Sequence, residues 1–150
     1  MRAADHFHVG IVVDDLQAAL AELTDLFGYE WCSLLAVETP VVLGDEEILL
    51  GLTFAYSKST PRIEVIQSIP GTLWVPAATS GVHHLGYWSD DVAADAERLM
   101  KRGYAREATG IRPDGEPVWA YHRSASGPRI ELVSRQLQGG LEQYWESTLG

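Results

Sequence analysis

Runs of apolar residues divide the chain into short strands and amphipathic helices. Residues 7–13 form a β-branched apolar stretch, which predicts a strand. Residues 16–27 then carry leucine and alanine at helical spacing. This stretch lies between Asp14-Asp15, either of which can cap a helix, and Gly28, which can end one in the left-handed conformation. The pattern predicts a strand followed by a helix that packs on it.

The remaining elements follow from the same reasoning. A shorter apolar stripe at residues 92–100 predicts a second helix, which Gly103 ends. Residues 105–117 are predicted to be a loop or a weak strand, and residues 137–149 a terminal amphipathic helix. The other predicted strands are residues 29–37 and 41–43, with a turn at Thr39-Pro40, then 48–56, 62–68, a strand in the segment that begins at Val82, 118–122 and 129–133.

Two copies of one module account for this order of elements. Residues 8–16 (HVGIVVDDL) recur 76 positions later as residues 84–92 (HLGYWSDDV). A second motif is also repeated, because residues 62–65 (RIEV) in the first half recur as residues 129–132 (RIEL) in the second. The repetition predicts two similar units, each with a strand, a helix, further strands, one His and one Glu.

The duplication also predicts the domain organisation. The modules cover about residues 6–68 and 82–135, joined by a connector at 69–81 and followed by a tail at 136–150. One helix over a few strands buries too little surface to be stable alone. We therefore predict that both modules form one domain, residues 1–150.

Charge and cysteine content restrict the class of partner. The net charge is −10, with 11 Lys and Arg residues scattered along the chain. This argues against a nucleic acid or an anionic membrane as partner and favours a small molecule. The single cysteine, Cys32, excludes an internal disulfide framework, and no apolar run has the length of a membrane span. We predict a cytoplasmic protein.

The repeated His and Glu residues are the candidates for chemistry. They are His8, Glu64, His84 and Glu131. Each residue alone is more typical of a solvated strand face or a satisfied core position, but recurrence of both types in register favours a shared site. Two nitrogen and two oxygen ligands suit one divalent cation such as Zn, Ni, Co, Mn or Fe. Such an ion acidifies the C–H beside a chelated carbonyl, and a neighbouring carboxylate can take the proton.

These motifs resemble the vicinal oxygen chelate superfamily, especially its glyoxalase I and methylmalonyl-CoA epimerase branch. The resemblance extends from Phe7 to Val133. It implies an α+β fold in which two paired βαβββ modules form a half-open, barrel-like sheet around a metal cavity. It also implies that the four residues are metal ligands and that Glu131 doubles as catalytic base, with Glu64 as its symmetric counterpart. Members often form dimers, so a homodimer is a possible assembly.

Aromatic residues are candidates for the wall of a substrate cavity, although each alone is at least as typical of an ordinary core position. The set is Phe54, Tyr56, Trp74, Trp88, Trp119 and Tyr121.

The remaining histidines and the cysteine are weaker candidates for a role in the site. Strand alternation predicts that His83 points away from the ligand face, and His6 is predicted to have a surface role. His122 either borders the cavity or, as the favoured alternative, has a surface role, and Cys32 is predicted to be a small buried group.

Two classes of function remain open. The favoured one is a metal-dependent lyase, isomerase or epimerase that acts on a small enolisable carbonyl substrate. The alternative is a protein that binds and sequesters an aromatic small molecule without turnover, as in antibiotic resistance. A metal-dependent dioxygenase is a further alternative, which normally uses two His and one carboxylate on iron. For the epimerase chemistry, Glu38, Glu46 and Glu47 are available as a further glutamate from the first module.

Overall fold

The computed structural model describes residues 1–150 and shows eight strands and three α-helices. Short 3-10 helices lie at Ala3–Asp5 and Arg135–Leu137. The first module contains β1 (His6–Val13), α1 (Leu16–Phe27), β2 (Leu35–Leu43), β3 (Glu46–Tyr56) and β4 (Arg62–Gln67). The second contains β5 (His84–Ser89), α2 (Val92–Lys101), β6 (Ala105–Ile111), β7 (Pro117–Arg123) and β8 (Arg129–Ser134), and α3 (Gln138–Trp145) follows.

The eight strands form one closed barrel in the order β1-β4-β3-β2-β6-β7-β8-β5. In each module the first strand pairs in parallel with the last, β1 with β4 and β5 with β8. The modules meet at two seams, β1 with β5 and β2 with β6. The second seam is short, because β2 pairs with β6 only over Val41–Leu43. The predicted α+β fold of two paired βαβββ modules is confirmed, with a ring of strands that closes rather than staying half open.

The predicted caps explain where the helices begin and end. Asp15 accepts a hydrogen bond from the Ala18 N–H at 2.9 Å, and Asp91 accepts one from Ala94 at the same distance. Because each carboxylate satisfies a backbone donor that has no partner within its helix, both helices begin at the predicted position. Gly28 ends α1 with a φ of 72°, which glycine adopts without steric cost.

Two sequence predictions about strands are wrong, and a third, left open between two alternatives, is decided by the structure. No turn occurs at Thr39-Pro40, because both residues lie inside β2. At Pro40, β2 has a strand neighbour on one side only, where a missing N–H is tolerated. Residues 29–34 contribute one isolated bridge, between Trp31 and Ser57, and no strand. For residues 105–117, predicted as a loop or a weak strand, the strand alternative is correct over residues 105–111, which form β6.

The last residues of the chain pack back onto the first module. The Tyr144 hydroxyl donates to the Ser33 carbonyl oxygen at 2.6 Å, and the Leu149 N–H donates to the Trp31 carbonyl oxygen at 3.1 Å. The Arg62 guanidinium lies 4.0 Å from the centre of the Trp145 ring, a distance typical of a cation–π contact. These contacts hold α3, the predicted terminal helix, and the residues after it against the first module.

No helix combines the length and apolar character needed to cross a bilayer.

His122 on β7 provides a prediction about stability that is independent of the candidate site. Both of its ring nitrogens are buried without a hydrogen-bond partner, so the predicted surface role is wrong. Burial, aided by the Arg106 guanidinium, lowers the pKa of His122 to about 4. Below pH ~6.5 the unfolded chain therefore binds a proton that the folded chain does not, and the free energy of unfolding falls as pH decreases towards 4.

We expect His122→Phe to remove about 2 kcal/mol of this pH-dependent loss of stability. Urea unfolding at pH 7.5, 5.5 and 4.5 gives the free energy of unfolding at each pH. The effect is the difference between wild type and variant in the slope of this free energy against pH. Equal slopes would show that His122 takes up its proton in the folded state.

Candidate metal centre

Strand register brings the repeated His and Glu residues together. In the β1–β5 seam His8 pairs with Gly86, and Gly10 pairs with His84. In the parallel pairs Gly10 lies beside Glu64, and Gly86 lies beside Glu131. Each glycine is therefore flanked by the Glu of its own module and the His of the other.

Four side-chain atoms of these residues converge inside the barrel. They are Nε2 of His8, Nε2 of His84, Oε2 of Glu64 and Oε2 of Glu131, and all four residues are buried. The two Nε2 atoms are 2.9 Å apart. Glu131 Oε2 lies 3.0 Å from His8 Nε2 and 3.3 Å from His84 Nε2. Glu64 Oε2 lies 3.5 Å and 3.2 Å from the same nitrogens.

The glycines provide the space for this convergence. A Cβ atom on Gly10 would lie 1.9 Å from Cε1 of His84, and one on Gly86 would lie 1.9 Å from Cε1 of His8. The repeated His-x-Gly pattern therefore has a physical cause, since each imidazole occupies the place of the side chain that the opposite glycine lacks.

The chemistry of the cluster fits a metal ion. In a tetrahedral or octahedral shell with bonds of about 2.0–2.2 Å, adjacent ligand atoms lie roughly 2.9–3.5 Å apart. The five separations between these atoms given above fall in that range. Both carboxylate Oε2 atoms are buried without a hydrogen-bond partner, which is costly unless something else binds them. The cluster could hold one divalent cation, and the role of the four residues as its ligands stays a prediction.

Electrostatics in the cluster also favour a bound cation. Burial tends to lower the pKa of His84, but the adjacent carboxylates of Glu131 and Glu64 outweigh it and raise that pKa to about 9. Burial alone would raise the pKa of Glu131, and the imidazoles of His8 and His84 hold it well below its usual range. Without a metal, the cluster therefore retains a proton on His84 and a negative charge on Glu131.

A tyrosine accompanies each glutamate. Tyr56 is the cross-strand partner of Glu64, and Tyr121 is the partner of Glu131. Burial, together with the two carboxylates, raises the pKa of both phenols well above the usual range. Both therefore stay protonated at neutral pH and can donate a hydrogen bond.

A cavity of about 570 Å³ opens from the cluster towards α3. Its lining is mostly apolar and aromatic and contains Glu64 and Glu131 but no Lys, Arg or His. Glu38 lines it as well, whereas Glu46 and Glu47 do not. Five of the six predicted aromatic residues line it, namely Phe54, Tyr56, Trp74, Trp119 and Tyr121. A larger groove of about 680 Å³, beside Phe27 and Lys58, contains none of the four cluster residues.

Trp88 does not line the cavity, contrary to the sequence prediction. Its ring stacks on Phe7, with centroids 3.9 Å apart and planes 9° from parallel. The β1–β5 register shifts between His6 and His8, which places Phe7 at an irregularity of the seam. Phe7 therefore covers the face of Trp88 that simple alternation would leave open.

Sequence reasoning missed two features of the site. One is α3, whose Gly140, Leu141 and Tyr144 line the cavity. No local sequence pattern indicates that a C-terminal helix will pack over a cavity. The other is His83, which is 3% exposed and contacts the ring of His84. It precedes the first residue of β5, so strand alternation does not apply to it. Burial lowers the pKa of His83 to about 3, with a further effect of His84 in the same direction.

The remaining weaker candidates lie outside the cluster. Cys32 is fully buried, as predicted. His6 is half-buried, and its ring lies 5.1 Å from that of Tyr87. The repeated arginines do not enter the cluster either. Arg129 pairs with Glu107, and Arg62 donates to the Ser57 carbonyl oxygen at 2.7 Å.

Comparison with solved structures gives several with a similar fold. A Streptomyces coelicolor methylmalonyl-CoA epimerase variant in complex with 2-nitronate-propionyl-CoA has a TM-score of 0.56 and 19% identity, over 87% of this chain and 96% of that one. The Mycobacterium tuberculosis methylmalonyl-CoA epimerase has a TM-score of 0.55 and 20% identity, over 93% and 97%. A methylmalonyl-CoA epimerase in complex with methylmalonyl-CoA and NH4+ has a TM-score of 0.58 and 19% identity, over 87% and 93%. At this identity the likeness shows the fold alone.

Sequence comparison identifies the family. Comparison with curated proteins gave no match. The profile of the glyoxalase/bleomycin resistance protein/dioxygenase superfamily matches residues 7–121, which is more than half of the chain and includes three of the four cluster residues. The chain therefore belongs to the glyoxalase/bleomycin resistance protein/dioxygenase superfamily.

Proposed function

We propose that this protein is a divalent-metal-dependent lyase, isomerase or epimerase of the glyoxalase type, acting on a small enolisable carbonyl substrate. The observation that supports it most is the convergence of two imidazole nitrogens with two carboxylate oxygens whose residues, Glu64 and Glu131, line an apolar cavity. His8, Glu64, His84 and Glu131 would hold the ion.

The proposed chemistry is proton transfer. When bound, the metal acts as a Lewis acid that stabilises negative charge developing on a substrate oxygen. Glu131 is the proposed general base, because its carboxylate is ionised and lines the cavity in which a substrate C–H would lie. Glu64 is its symmetric counterpart on the other side of the cluster. The protonated hydroxyls of Tyr56 and Tyr121 are available as donors to a substrate oxygen.

The cavity indicates the class of substrate. Its walls are apolar and aromatic, and no Lys, Arg or His side chain lines it to pair with a phosphate or a free carboxylate. We therefore propose a substrate with an apolar or aromatic body and two neighbouring oxygens. Any phosphate-bearing carrier group would have to extend beyond the cavity.

A second candidate function rests on the same walls. Trp74, Trp119 and Tyr121 pack edge to face around the cavity, with centroids 5.5–6.0 Å apart. Such a wall suits the sequestration of an aromatic molecule without turnover. The dioxygenase alternative is less favoured, because the cluster offers two carboxylates rather than one.

Two measurements test the proposal. Elemental analysis of protein purified without added metal should find one divalent ion per chain, which His8→Ala should lose and His6→Ala, two positions away and outside the cluster, should retain. Incubation of α-hydroxycarbonyl compounds and α-ketoaldehyde adducts in D2O should show, by NMR, deuterium entering the carbon beside the carbonyl. Tight binding of aromatic compounds with neither metal nor exchange would instead support sequestration. Sedimentation of the same samples tests the predicted homodimer.

A further inference from the structure

The ring of His83 lies directly behind His84, on the side away from the cluster. Nδ1 of His83 is 2.9 Å from Nδ1 of His84, and Nε2 of His83 is 2.8 Å from the carbonyl oxygen of Leu73. Because His83 is 3% exposed, bulk water does not compete for either contact. A chain of hydrogen bonds therefore runs from the connector between the modules to the candidate metal centre.

These contacts allow one arrangement of protons for a neutral His83. A carbonyl oxygen only accepts, so Nε2 of His83 carries a hydrogen. His83 is buried and forms no ion pair with a carboxylate, and the nearby Arg129 guanidinium, which donates to the His83 carbonyl oxygen at 3.3 Å, disfavours a second positive charge. Its Nδ1 is therefore a lone-pair acceptor, and Nδ1 of His84 must be the donor. A neutral His84 then has its free lone pair on Nε2, the atom that faces the cluster.

We infer that His83 is a positioning residue that holds His84 in the tautomer able to bind a metal through Nε2, with the Leu73 carbonyl as its anchor. Metal-ligating histidines usually need such a partner on the second nitrogen, and its loss typically lowers metal affinity about 10- to 100-fold. The metal in this inference rests on the proposed function, whereas the hydrogen bond from Nδ1 of His84 to Nδ1 of His83 is a property of the chain itself, present whether or not Nε2 of His84 also carries a proton.

The first module has no hydrogen-bond partner equivalent to His83. Phe7 occupies the position that matches His83, and its ring packs edge-on against His8 with centroids 4.4 Å apart. Nδ1 of His8 is buried without a partner. The two imidazoles of the cluster therefore differ chemically although their modules are copies. Only His84 has a hydrogen-bond partner that keeps a proton on Nδ1.

Two substitutions separate hydrogen bonding from packing. His83→Phe copies the residue of the first module and fills the space, but it has no acceptor. His83→Asn is smaller and leaves a gap, but its Oδ1 stands in place of Nδ1 and can accept from His84. A packing role predicts that Phe is tolerated better than Asn, and the inferred role predicts the reverse. His122→Phe, at a buried histidine outside the cluster, is the control for loss of an imidazole.

The first readout is Co²⁺ affinity, from the visible absorbance of the bound ion. We expect His83→Phe to lower the affinity about 10- to 100-fold, His83→Asn to restore most of it, and His122→Phe to leave it unchanged. An affinity of His83→Phe equal to or above that of His83→Asn would overturn the inference.

The second readout does not depend on metal. In the metal-free, 15N-labelled full chain, NMR should show a scalar coupling between Nδ1 of His83 and Nδ1 of His84 across the hydrogen bond, with the proton on His84. If this coupling is missing, or the proton is on His83, the inference is wrong. If wild type binds no Co²⁺ but the coupling is present, the proposed function fails and the positioning role of His83 stands.

Discussion

Replacing Glu131 with Gln should lower the rate of proton transfer on the order of 1,000-fold at saturating metal, for the substrate that the deuterium-exchange screen identifies. The amide keeps the size of the side chain but cannot accept the proton from carbon. It also removes one of the two negative charges beside His8 and His84, so metal affinity should fall as well. Rates are therefore compared at a metal concentration that saturates each variant.

Two further variants define the cause of this loss. Glu64→Gln removes the same charge from the other side of the cluster and should weaken metal binding, with a smaller effect on the rate at saturation. Glu47→Gln, at an exposed position near the start of β3, should behave as wild type. If Glu64→Gln lost more of the saturated rate than Glu131→Gln, the base would be Glu64.

Adding one methyl group at Gly10 or at Gly86 should disrupt the metal centre. Gly10→Ala places a Cβ 1.9 Å from the His84 ring, and Gly86→Ala does the same to the His8 ring. Neither ring can retreat easily. His84 has His83 behind it and Tyr121 edge-on at 5.0 Å, and His8 has Tyr56 edge-on at 5.5 Å. We expect a loss of stability of about 1–3 kcal/mol and a fall in metal affinity of at least about 100-fold.

Gly51→Ala is the matched control for these variants. Gly51 also lies within a strand, but a Cβ there would meet no atom within 4 Å. Its unfolding free energy, measured in urea, and its metal affinity should both stay near those of wild type. If Gly10→Ala bound metal as tightly as Gly51→Ala, the convergence of the two imidazoles would not be what creates the site.

Local patterns in the sequence predicted the helices and most of the strands. Spacing of apolar residues located α1 and α2, and aspartate caps set where they begin, because such signals act within a few residues of one another. Local patterns were insufficient where contacts between residues far apart in the sequence determine the secondary structure. Pro40 lies inside β2 because of the neighbours that β2 has in the barrel. For residues 105–111, which the sequence left open between loop and strand, pairing with β7 decides for a strand.

The sequence by itself determined that the chain is duplicated and that one His and one Glu recur in each copy, because repetition can be read without knowing any contact. Only the tertiary structure decided how these residues meet. The pairing of Gly10 with His84, the hydrogen bond behind His84 from His83, the burial of Trp88 under Phe7 and the position of α3 over the cavity all join distant or irregular parts of the chain. Such contacts depend on strand register between the modules and on backbone outside regular strands, and neither has a periodic signature in the sequence.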